Sequence, residues 1–310
     1  MNKFTKGLLI TAGACLGTGI IITGIAIGLT KKNGQATTDS YEKITVTITD
    51  DIENINIEEI SHDIKIEKAS DDNITVEYWD NSSFIHDVKA DGGTLKVTFK
   101  NSKHWYDFIT IGIPGITKTS SDENHDTIIY LPEGVYGDLA VSAVSSDINI
   151  PDGYTFEDVD FNTVSGEISC ASESTGNVNV NTTSGNLNEM YINGISAQIN
   201  TVSGDVFLSE STLSGSVVID TTSGEVQLTN VTVGACDINT TSGDILLNSY
   251  SGSNTTINST SGDITAIVSG TYHVSYDTLS GDSNITCDNV SDGANFRVDT
   301  VSGDLTVSEA

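Results

Sequence analysis

The phrase Thr201-Val-Ser-Gly-Asp-Val206 returns at a nearly fixed interval through the second half of the chain. Close copies are Thr240-Thr-Ser-Gly-Asp-Ile245 and Thr300-Val-Ser-Gly-Asp-Leu305. The steps between successive anchors are 20, 19, 19, 20, 19, 19, 19 and 22 residues, the anchors being Ser146 (a degenerate first copy), Gly166, Gly185, Gly204, Gly224, Gly243, Gly262, Gly281 and Gly303. A period this regular is typical of a repeat architecture.

Counted from each anchor, apolar side chains recur at positions −5, +2 and +4, with polar residues between them. Position −5 holds Val141, Phe161, Val180, Ile199, Ile219, Ile238, Ile257, Tyr276 and Val298; position +2 holds Ile148, Ile168, Leu187, Val206, Val226, Ile245, Ile264, Ser283 and Leu305; position +4 holds Ile150, Cys170, Glu189, Leu208, Leu228, Leu247, Ala266, Ile285 and Val307. This pattern predicts two short strands per repeat with one face buried. The Ser-Gly pair is the predicted bend, since glycine tolerates a positive φ there.

The predicted fold is an all-β, single-stranded β-helix-like solenoid with coils of about 19–20 residues. No single repeat can bury its own apolar face, so successive repeats must stack. With neighbouring strands about 4.8 Å apart, nine coils would form a rod of roughly 40 Å. A globular β-sandwich is the alternative, although such folds rarely show so fixed a period.

Position +1 predicts a row of acidic residues along one corner of the solenoid. Eight of its nine residues are carboxylates, which is too many for chance placement: Asp147, Glu167, Asn186, Asp205, Glu225, Asp244, Asp263, Asp282 and Asp304. Neighbouring carboxylates would repel, so something must offset the repulsion. One interpretation is hydrogen bonding from N–H groups of the turn. The other is Ca²⁺ binding, for which the candidates are Asp205, Glu225, Asp244, Asp263, Asp282 and Asp304.

Charge and scattered side chains exclude several function classes. The net charge is −30, and Arg297 is the only basic residue beyond Lys118, so nucleic-acid binding is excluded and a cationic partner is favoured. The alternation of inward and outward positions places three cysteines on the inward side: Cys170, Cys236 and Cys287. We therefore expect buried thiols, and their number and spacing indicate neither a zinc site nor a disulfide framework. The histidines lack metal-ligand spacing, so surface or turn positions are expected for His62, His86, His104, His125 and His273. No catalytic constellation is evident.

The N-terminal stretch predicts a membrane anchor. Residues 7–30 carry no charge and are long enough to span a bilayer, with Lys3 and Lys6 before them and Lys31-Lys32 after them. A cleaved signal peptide usually has a shorter apolar region, and a lipoprotein processed at Cys15 would turn polar after it. We therefore expect residues 1–6 to be a short cytoplasmic N-terminus and 7–30 a single transmembrane helix, with the C-terminal domain extracytoplasmic and the chain located in the cell membrane.

Glycines within this predicted helix favour close packing with another helix. Gly13, Gly17, Gly24 and Gly28 form two Gly-x-x-x-Gly pairs that fall on one helix face. Such a face permits a membrane-protein partner or a homodimer through the anchor, although a glycine-rich spanning helix without a partner is the simpler interpretation.

The remaining chain divides into three predicted segments. Residues 31–40 are a polar linker, 41–131 an N-terminal β region of early irregular coils, and 132–310 the regular repeats. Ser61-His62-Asp63-Ile64 echoes the repeat phrase, which suggests that coils begin there in degraded form. An aromatic segment interrupts the strands, and His104, Trp105, Tyr106 and Phe108 are candidates either for a contact site or for covering the end of the core.

The repeat phrases and the upstream Tyr130-Leu-Pro-Glu-Gly134 resemble the bacterial β-repeat "putative adhesin" or toastrack family over about residues 42–310. This resemblance implies an envelope protein with a membrane-spanning segment and an external β-helix-like domain. It implies no catalytic residues and no cofactor. Some members are linked to envelope-stress systems, but this chain shows a single spanning segment and no further signalling domain.

Three functions follow from these features. The first is a non-enzymatic, membrane-anchored, adhesin-like or envelope-associated binding module for a cationic peptide or an envelope polymer. The alternative is a component of a cell-envelope stress sensing system that acts through the anchor. A polysaccharide-acting enzyme is a weaker third hypothesis, because such β-helix enzymes combine acids and bases on one face and this repeat region is almost purely acidic.

Overall fold

The computed structural model describes residues 41–81, 84–101 and 125–310, and these residues form strands without a single helix. In chain order the strands are β1 (Glu42–Ile48), β2 (Asn54–Glu58), β3 (Ile64–Lys68), β4 (Ile74–Asp80), β5 (Phe84–Asp91), β6 (Thr94–Asn101), β7 (Thr127–Leu131), β8 (Gly134–Val135), β9 (Leu139–Ser142), β10 (Ile148–Ile150), β11 (Tyr154–Phe156), β12 (Val159–Asn162), β13 (Ile168–Cys170) and β14 (Glu173–Ser174). They continue with β15 (Asn177–Asn181), β16 (Leu187–Gly194), β17 (Ser196–Asn200), β18 (Val206–Ser209), β19 (Thr212–Asp220), β20 (Val226–Thr229), β21 (Thr232–Asn239), β22 (Ile245–Asn258), β23 (Ile264–Val268), β24 (Tyr272–Ser280), β25 (Ser283–Ile285), β26 (Ala294–Ser302) and β27 (Leu305–Glu309).

The strands stack as a solenoid, which confirms the predicted all-β fold. On the first face, Val206 pairs with Val226 and Val226 with Ile245, in parallel register. On the second face, Ile199 pairs with Ile219 in the same way. A shorter third face links them in the early coils, where β8, β11, β14 and the end of β16 pair. Each coil's backbone groups are thus satisfied by its neighbours, as stacking requires.

The core is a continuous column of the predicted inward positions. Those at −5 and +2 are buried in each coil from the Ser146 anchor to the Gly262 anchor. Two inward assignments were wrong. Glu189 was expected at +4 of its coil, but the register shifts after Leu187 and the buried Met190 pairs with Leu208 instead, as a β-bulge allows. Ser283, at +2 of the Gly281 coil, is exposed.

Chain order breaks at the C-terminal end. The expected succession of anchors would place the Gly281 coil beside the Gly262 coil. Instead β23 pairs with β27, and β27 pairs with β25 on its other side. On the second face β26 likewise lies between β22 and β24. The last coil in sequence is therefore inserted, and the Gly281 coil is the outermost.

The N-terminal end shows the same kind of inversion. Ile64 pairs with Ile148, so Ser61-His62-Asp63-Ile64 does begin a coil, as its sequence suggests. The later coil formed by β6 and β7 lies outside it, against β2 and β3. Beyond that coil, β1, β4 and β5 run antiparallel and end the stack.

The predicted transmembrane helix at 7–30, with its glycine face, lies outside the described residues. No helix capable of crossing a bilayer occurs in the part of the chain that the structure describes. The aromatic segment at 104–108 also lies outside that part.

Candidate functional site

The repeat corner, defined as positions −4 to +1, joins the second face to the first. Its serine at −1 fastens each coil to the preceding one. In the Gly243 coil, the Ser242 N–H donates to the Thr222 carbonyl at 3.0 Å and its Oγ donates to the same oxygen at 3.4 Å. The same pair of bonds recurs at Ser184, Ser203 and Ser223. The serine is thus a stacking residue.

The threonine at −3 is buried and closes the turn. The Thr240 Oγ1 accepts the N–H of Gly243 at 3.1 Å, and this bond recurs from Gly185 to Thr182, from Gly204 to Thr201 and from Gly224 to Thr221. Such a hydroxyl satisfies a donor that would otherwise be buried without a partner.

The glycine is required for a different reason from the one predicted. A positive φ occurs at Gly166, Gly262 and Gly303, but not at the four anchors from Gly185 to Gly243. In those four coils glycine is required because the backbone of the preceding coil lies too close for a side chain. A Cβ on Gly243 would lie 1.8 Å from the Gly224 carbonyl oxygen. In these four coils, stacking therefore excludes every side chain at the anchor position.

The acidic row at +1 is an inter-coil hydrogen-bond ladder. The Asp205 Oδ1 accepts the N–H of Glu225 at 2.9 Å, and the Asp244 Oδ1 accepts that of Asp263 at 2.9 Å. At the C-terminal end, Asp263 accepts from Asp304 and Asp304 from Asp282, which follows the inverted coil order. Hydrogen bonding to N–H groups was one of the two interpretations, but the donors belong to the next coil and not to the local turn.

These bonds offset part of the mutual repulsion, because a carboxylate that accepts an N–H is stabilised in its charged form. The six calcium candidates lie one per coil along this ladder. Among the described residues they do not converge in groups of three within 4.8 Å of one another. Calcium binding at the ladder stays a prediction.

A second ladder, which sequence reasoning missed, runs along position −4. The Asn200 Nδ2 donates to the Asn181 Oδ1 at 2.9 Å, and the Asn258 Nδ2 to the Asn239 Oδ1 at 2.9 Å. Asp220 interrupts this ladder: it accepts from Asn239 at 2.9 Å but has no donor for Asn200 while ionised. Burial raises the pKa of Asp220, and the hydrogen bond from Asn239 opposes that shift only in part. The recurrence of Asn at the repeat interval was the available signal.

Two cavities open on the same repeat positions. One, of about 420 Å³, is lined by corner residues of the early coils, among them Asn162, Thr163 and Val164. The other, of about 590 Å³, is lined by the equivalent residues at the C-terminal end, among them Asp299, Thr300 and Val301. The corner therefore presents recesses at positions −4 to −2 that are edged by amide, hydroxyl and apolar groups, and the acidic ladder occupies position +1 of the same corner.

In the coil that begins at Ser61 the corner holds different chemistry. By register, Glu59 takes the place of the threonine and His62 the place of the glycine. Both are buried, as is His86 of β5, and one ligand atom from each lies within 4.8 Å of the others. The expectation of surface or turn positions for His62 and His86 was therefore wrong. The fold brings together residues that are 27 positions apart, such as Glu59 and His86, which spacing could not indicate.

The three side chains shift one another's protonation. Burial lowers the pKa of His62, and the nearby Glu59 carboxylate opposes this in part. Burial also disfavours a charged His86, but hydrogen bonds to Glu59 and Asp80 outweigh it and raise the pKa of His86. Burial disfavours the charged form of Glu59, but the hydrogen bond from His86, the charges of His86 and His62 and the Ile60 N–H together outweigh it and lower the pKa of that carboxyl.

The three cysteines of the described region match expectation. Cys170, Cys236 and Cys287 are free and buried. Burial raises the pKa of Cys170 and of Cys236 to about 12, so these thiols stay protonated and inert. They pack as small apolar side chains and add no chemistry to the corner.

Among the solved structures that match this chain are three proteins of low sequence identity. A "putative lipid binding protein" from Parabacteroides distasonis is 15% identical, with a TM-score of 0.41, over 86% of this chain and 96% of that one. A "putative adhesin" from the same organism is 14% identical, with a TM-score of 0.38, over 88% and 98%. A "putative cell adhesion protein" from Clostridium sporogenes is 10% identical, with a TM-score of 0.20, over 88% and 100%. No curated protein matches the chain.

A family model gives the decisive comparison. The model described as Toastrack DUF4097 matches residues 52–308, which covers the solenoid from β2 to β27 and both of its inverted ends. The resemblance expected from the Thr-x-Ser-Gly-Asp repeats is confirmed, and the chain belongs to the Toastrack family.

Proposed function

We propose that this chain is a non-enzymatic, membrane-anchored binding module whose repeat corner takes an extended cationic ligand outside the cell. The observation that carries the proposal is the recurrence of recesses at the same corner positions beside an acidic ladder. A peptide rich in lysine and arginine fits this chemistry, because its charges would meet one carboxylate per coil. An envelope polymer with amino groups would present similar charges.

The ladder suits such a ligand because its charges are held in place. Each hydrogen bond from the next coil fixes the direction of a carboxylate, as the 2.9 Å bond from Glu225 fixes Asp205. A fixed row of charges loses little side-chain entropy on binding, which favours affinity. The low content of basic residues in the repeats leaves this negative field largely uncompensated.

The proposed anchor agrees with the placement of β1. β1, which follows the predicted linker at 31–40 in sequence, lies at the outer edge of the N-terminal end of the stack. With residues 7–30 in the bilayer, that end would lie nearest the membrane and the Gly281 coil furthest from it. The corner would then run outward from the cell surface.

Catalysis is not part of the proposal. A lyase-type site needs a basic group beside its acids. Arg297, the one basic residue of the repeats, already forms two 2.8 Å hydrogen bonds with Asp299.

The test is binding of a fluorescent deca-lysine peptide to the full chain in detergent, followed by anisotropy. The variant Asp205→Asn/Glu225→Gln/Asp244→Asn/Asp263→Asn removes four charges and keeps hydrogen-bond acceptors. We expect its affinity to fall at least tenfold at low salt, and that of the wild type to fall steeply as salt rises. A matched control, Asp72→Asn/Asp152→Asn/Glu157→Gln/Asp292→Asn, removes four exposed charges elsewhere and should change affinity less than twofold. An equal loss of peptide affinity in both variants would show that only the net charge matters, and it would refute a binding site at the corner.

The alternative function is a component of an envelope-stress sensing system. The glycine face of the predicted anchor favours it, because such a face permits contact with a membrane partner. Gly13→Leu with Gly17→Leu should then abolish co-purification of that partner, while peptide binding at the corner is unchanged. Retained association would count against this alternative.

A further inference from the structure

Glu59, His62 and His86 form a buried cluster at the N-terminal end of the solenoid. The His86 Nε2 lies 2.9 Å from the Glu59 Oε2, and the His62 Nδ1 lies 3.8 Å from the Glu59 Oε1. The three residues are 3%, 8% and 6% exposed, so water does not solvate them freely. Two imidazoles and a carboxylate are the ligand types of many zinc sites.

One nitrogen of the cluster has no partner. The His62 Nδ1 is buried and accepts or donates no hydrogen bond in the part of the chain that the structure describes. A buried polar atom without a partner destabilises the folded state, so its retention needs an explanation. This nitrogen lies 3.8 Å from the Glu59 Oε1, beyond hydrogen-bond distance.

Surrounding groups orient the other two side chains as metal ligands are oriented. The His86 Nδ1 lies 2.7 Å from the Asp80 Oδ1, which holds a proton on that nitrogen and directs Nε2 toward Glu59. The Glu59 carboxylate accepts the Thr127 hydroxyl at 3.0 Å and the Ile60 N–H at 2.8 Å. A carboxylate behind a ligating histidine, and hydrogen bonds behind a ligating carboxylate, are the usual outer contacts of such sites.

The spacing also fits. Zinc–ligand bonds of about 2.0–2.1 Å in a tetrahedron place ligand atoms roughly 3.3 Å apart. The His86 Nε2 lies 2.9 Å from one oxygen of the Glu59 carboxylate and the His62 Nδ1 lies 3.8 Å from the other, on either side of that value. One ligand atom from each of the three residues lies within 4.8 Å of the others. Aromatic rings enclose the cluster: Tyr78 lies 4.9 Å from His86 and Phe84 lies 5.8 Å from His62, centroid to centroid.

We propose that Glu59, His62 and His86 bind a divalent transition-metal ion of the Zn²⁺ type, through the Glu59 carboxylate, His62 Nδ1 and His86 Nε2. When the ion binds, the proton shared between His86 and Glu59 leaves to solvent. The His86 Nδ1 keeps its proton, which it donates to Asp80. Three protein ligands leave a fourth position for water or for a further group. Calcium is disfavoured, since it prefers an all-oxygen set.

The site would join three structural units. Glu59 and His62 belong to the first coil, His86 belongs to the antiparallel hairpin, and Thr127 comes from the outer coil. The outer coil already pairs with the first coil through β2–β6 and β3–β7, and with β5 through β5–β6. A bound ion would therefore add a direct link between the hairpin and the first coil. This inference does not depend on ligand binding at the repeat corner.

The experiment is titration of the chelator-stripped full chain in detergent with ZnCl₂, followed by calorimetry, and with CoCl₂, followed by visible absorption. We expect one high-affinity Zn²⁺ per chain, a higher Tm with Zn²⁺, and cobalt d–d bands of a four- or five-coordinate nitrogen–oxygen site. His62→Phe keeps a ring in the pocket and removes the unpartnered nitrogen, so it should fold normally and lose at least tenfold in affinity. Asp80→Asn should weaken binding about 10- to 100-fold, because it disturbs the orientation of His86.

His273→Phe is the matched control, because His273 is exposed and remote in sequence. It should bind Zn²⁺ as the wild type does. Zinc affinity and cobalt bands that are unchanged in His62→Phe, or the absence of binding by the stripped wild type, would overturn the proposal. The cluster would then be a buried ion-paired triad alone.

Discussion

The middle coils and the N-terminal coil use the same corner positions for different chemistry. In the Gly243 coil the corner holds Thr240 and Gly243, joined by a 3.1 Å hydrogen bond. In the first coil the equivalent positions hold Glu59 and His62, which are buried together with His86. The backbone path is shared, because Ile64 and its successors remain in register. Stacking therefore sets the shape of the corner, while the residues at −3 and 0 set its chemistry.

This difference separates stacking from function. A group that recurs in every coil, such as the serine at −1, is explained by pairing with the next coil. A residue that occurs once at a repeated position is not explained in that way, and Glu59 and His62 are of this kind. Single-copy departures from the repeat are consequently better guides to specific sites than the repeat itself.

The largest expected effect comes from breaking the close approach in the middle coils. Gly243→Ala would place a Cβ 1.8 Å from the Gly224 carbonyl oxygen. The two backbones cannot move apart to relieve this clash without breaking the hydrogen bonds between the coils. We expect a loss of about 3 kcal/mol or more in the free energy of unfolding, measured with urea. Gly134→Ala is the control, since its nearest contact would be a tyrosine ring carbon at 4.0 Å. Similar stability of the two variants would contradict the stacking argument.

An intermediate effect should distinguish the middle from the C-terminal end at position −3. Thr240→Val removes the acceptor of the Gly243 N–H and should cost about 1–3 kcal/mol in unfolding free energy. Thr300 has the same position in the inserted coil, but its buried Oγ1 has no partner within the described region. Thr300→Val should therefore be neutral or slightly stabilising. Equal losses would show that both hydroxyls serve only as packing atoms.

A smaller, stabilising effect is expected where Asp220 interrupts the asparagine ladder. Asp220→Asn can donate to Asn200 and still accept from Asn239, which should add about 0.5–1.5 kcal/mol at pH 7. Because the folded pKa of Asp220 is raised, the stability linked to its protonation is present at low pH and is lost as pH rises through that pKa. The advantage of the variant should thus shrink on acidification. Urea unfolding at pH 7 and pH 4 measures this, with Asp152→Asn as a control for loss of charge alone.

The smallest expected effect concerns the acidic ladder. Adding Ca²⁺ to the chelator-stripped chain should leave its Tm unchanged, because the carboxylates accept inter-coil N–H bonds and do not converge in the described region. A Tm that rises with Ca²⁺, and does not rise in Asp244→Asn, would establish the calcium interpretation instead.

Sequence periodicity was sufficient to predict the solenoid, the inward positions and the buried cysteines. The reason is physical: apolar parity and the glycine interval act within one coil and are repeated many times. Periodicity could not predict the features that depend on a single contact between distant segments. The bulge that exchanges Glu189 for Met190 and the insertion of the Gly303 coil depend on pairing between segments, which no local pattern encodes. The same holds for His86, which reaches Glu59 only because an antiparallel hairpin folds over the first coil.

The inverted order of the last two coils has a consequence for synthesis. The Gly281 coil leaves the ribosome before the Gly303 coil, yet β26 and β27 end up between it and the rest of the stack. Coils up to Gly262 can add one after another as they emerge. The Gly281 coil cannot dock in its final place until β26 and β27 have been made, so assembly of this end waits for synthesis of the Gly303 coil.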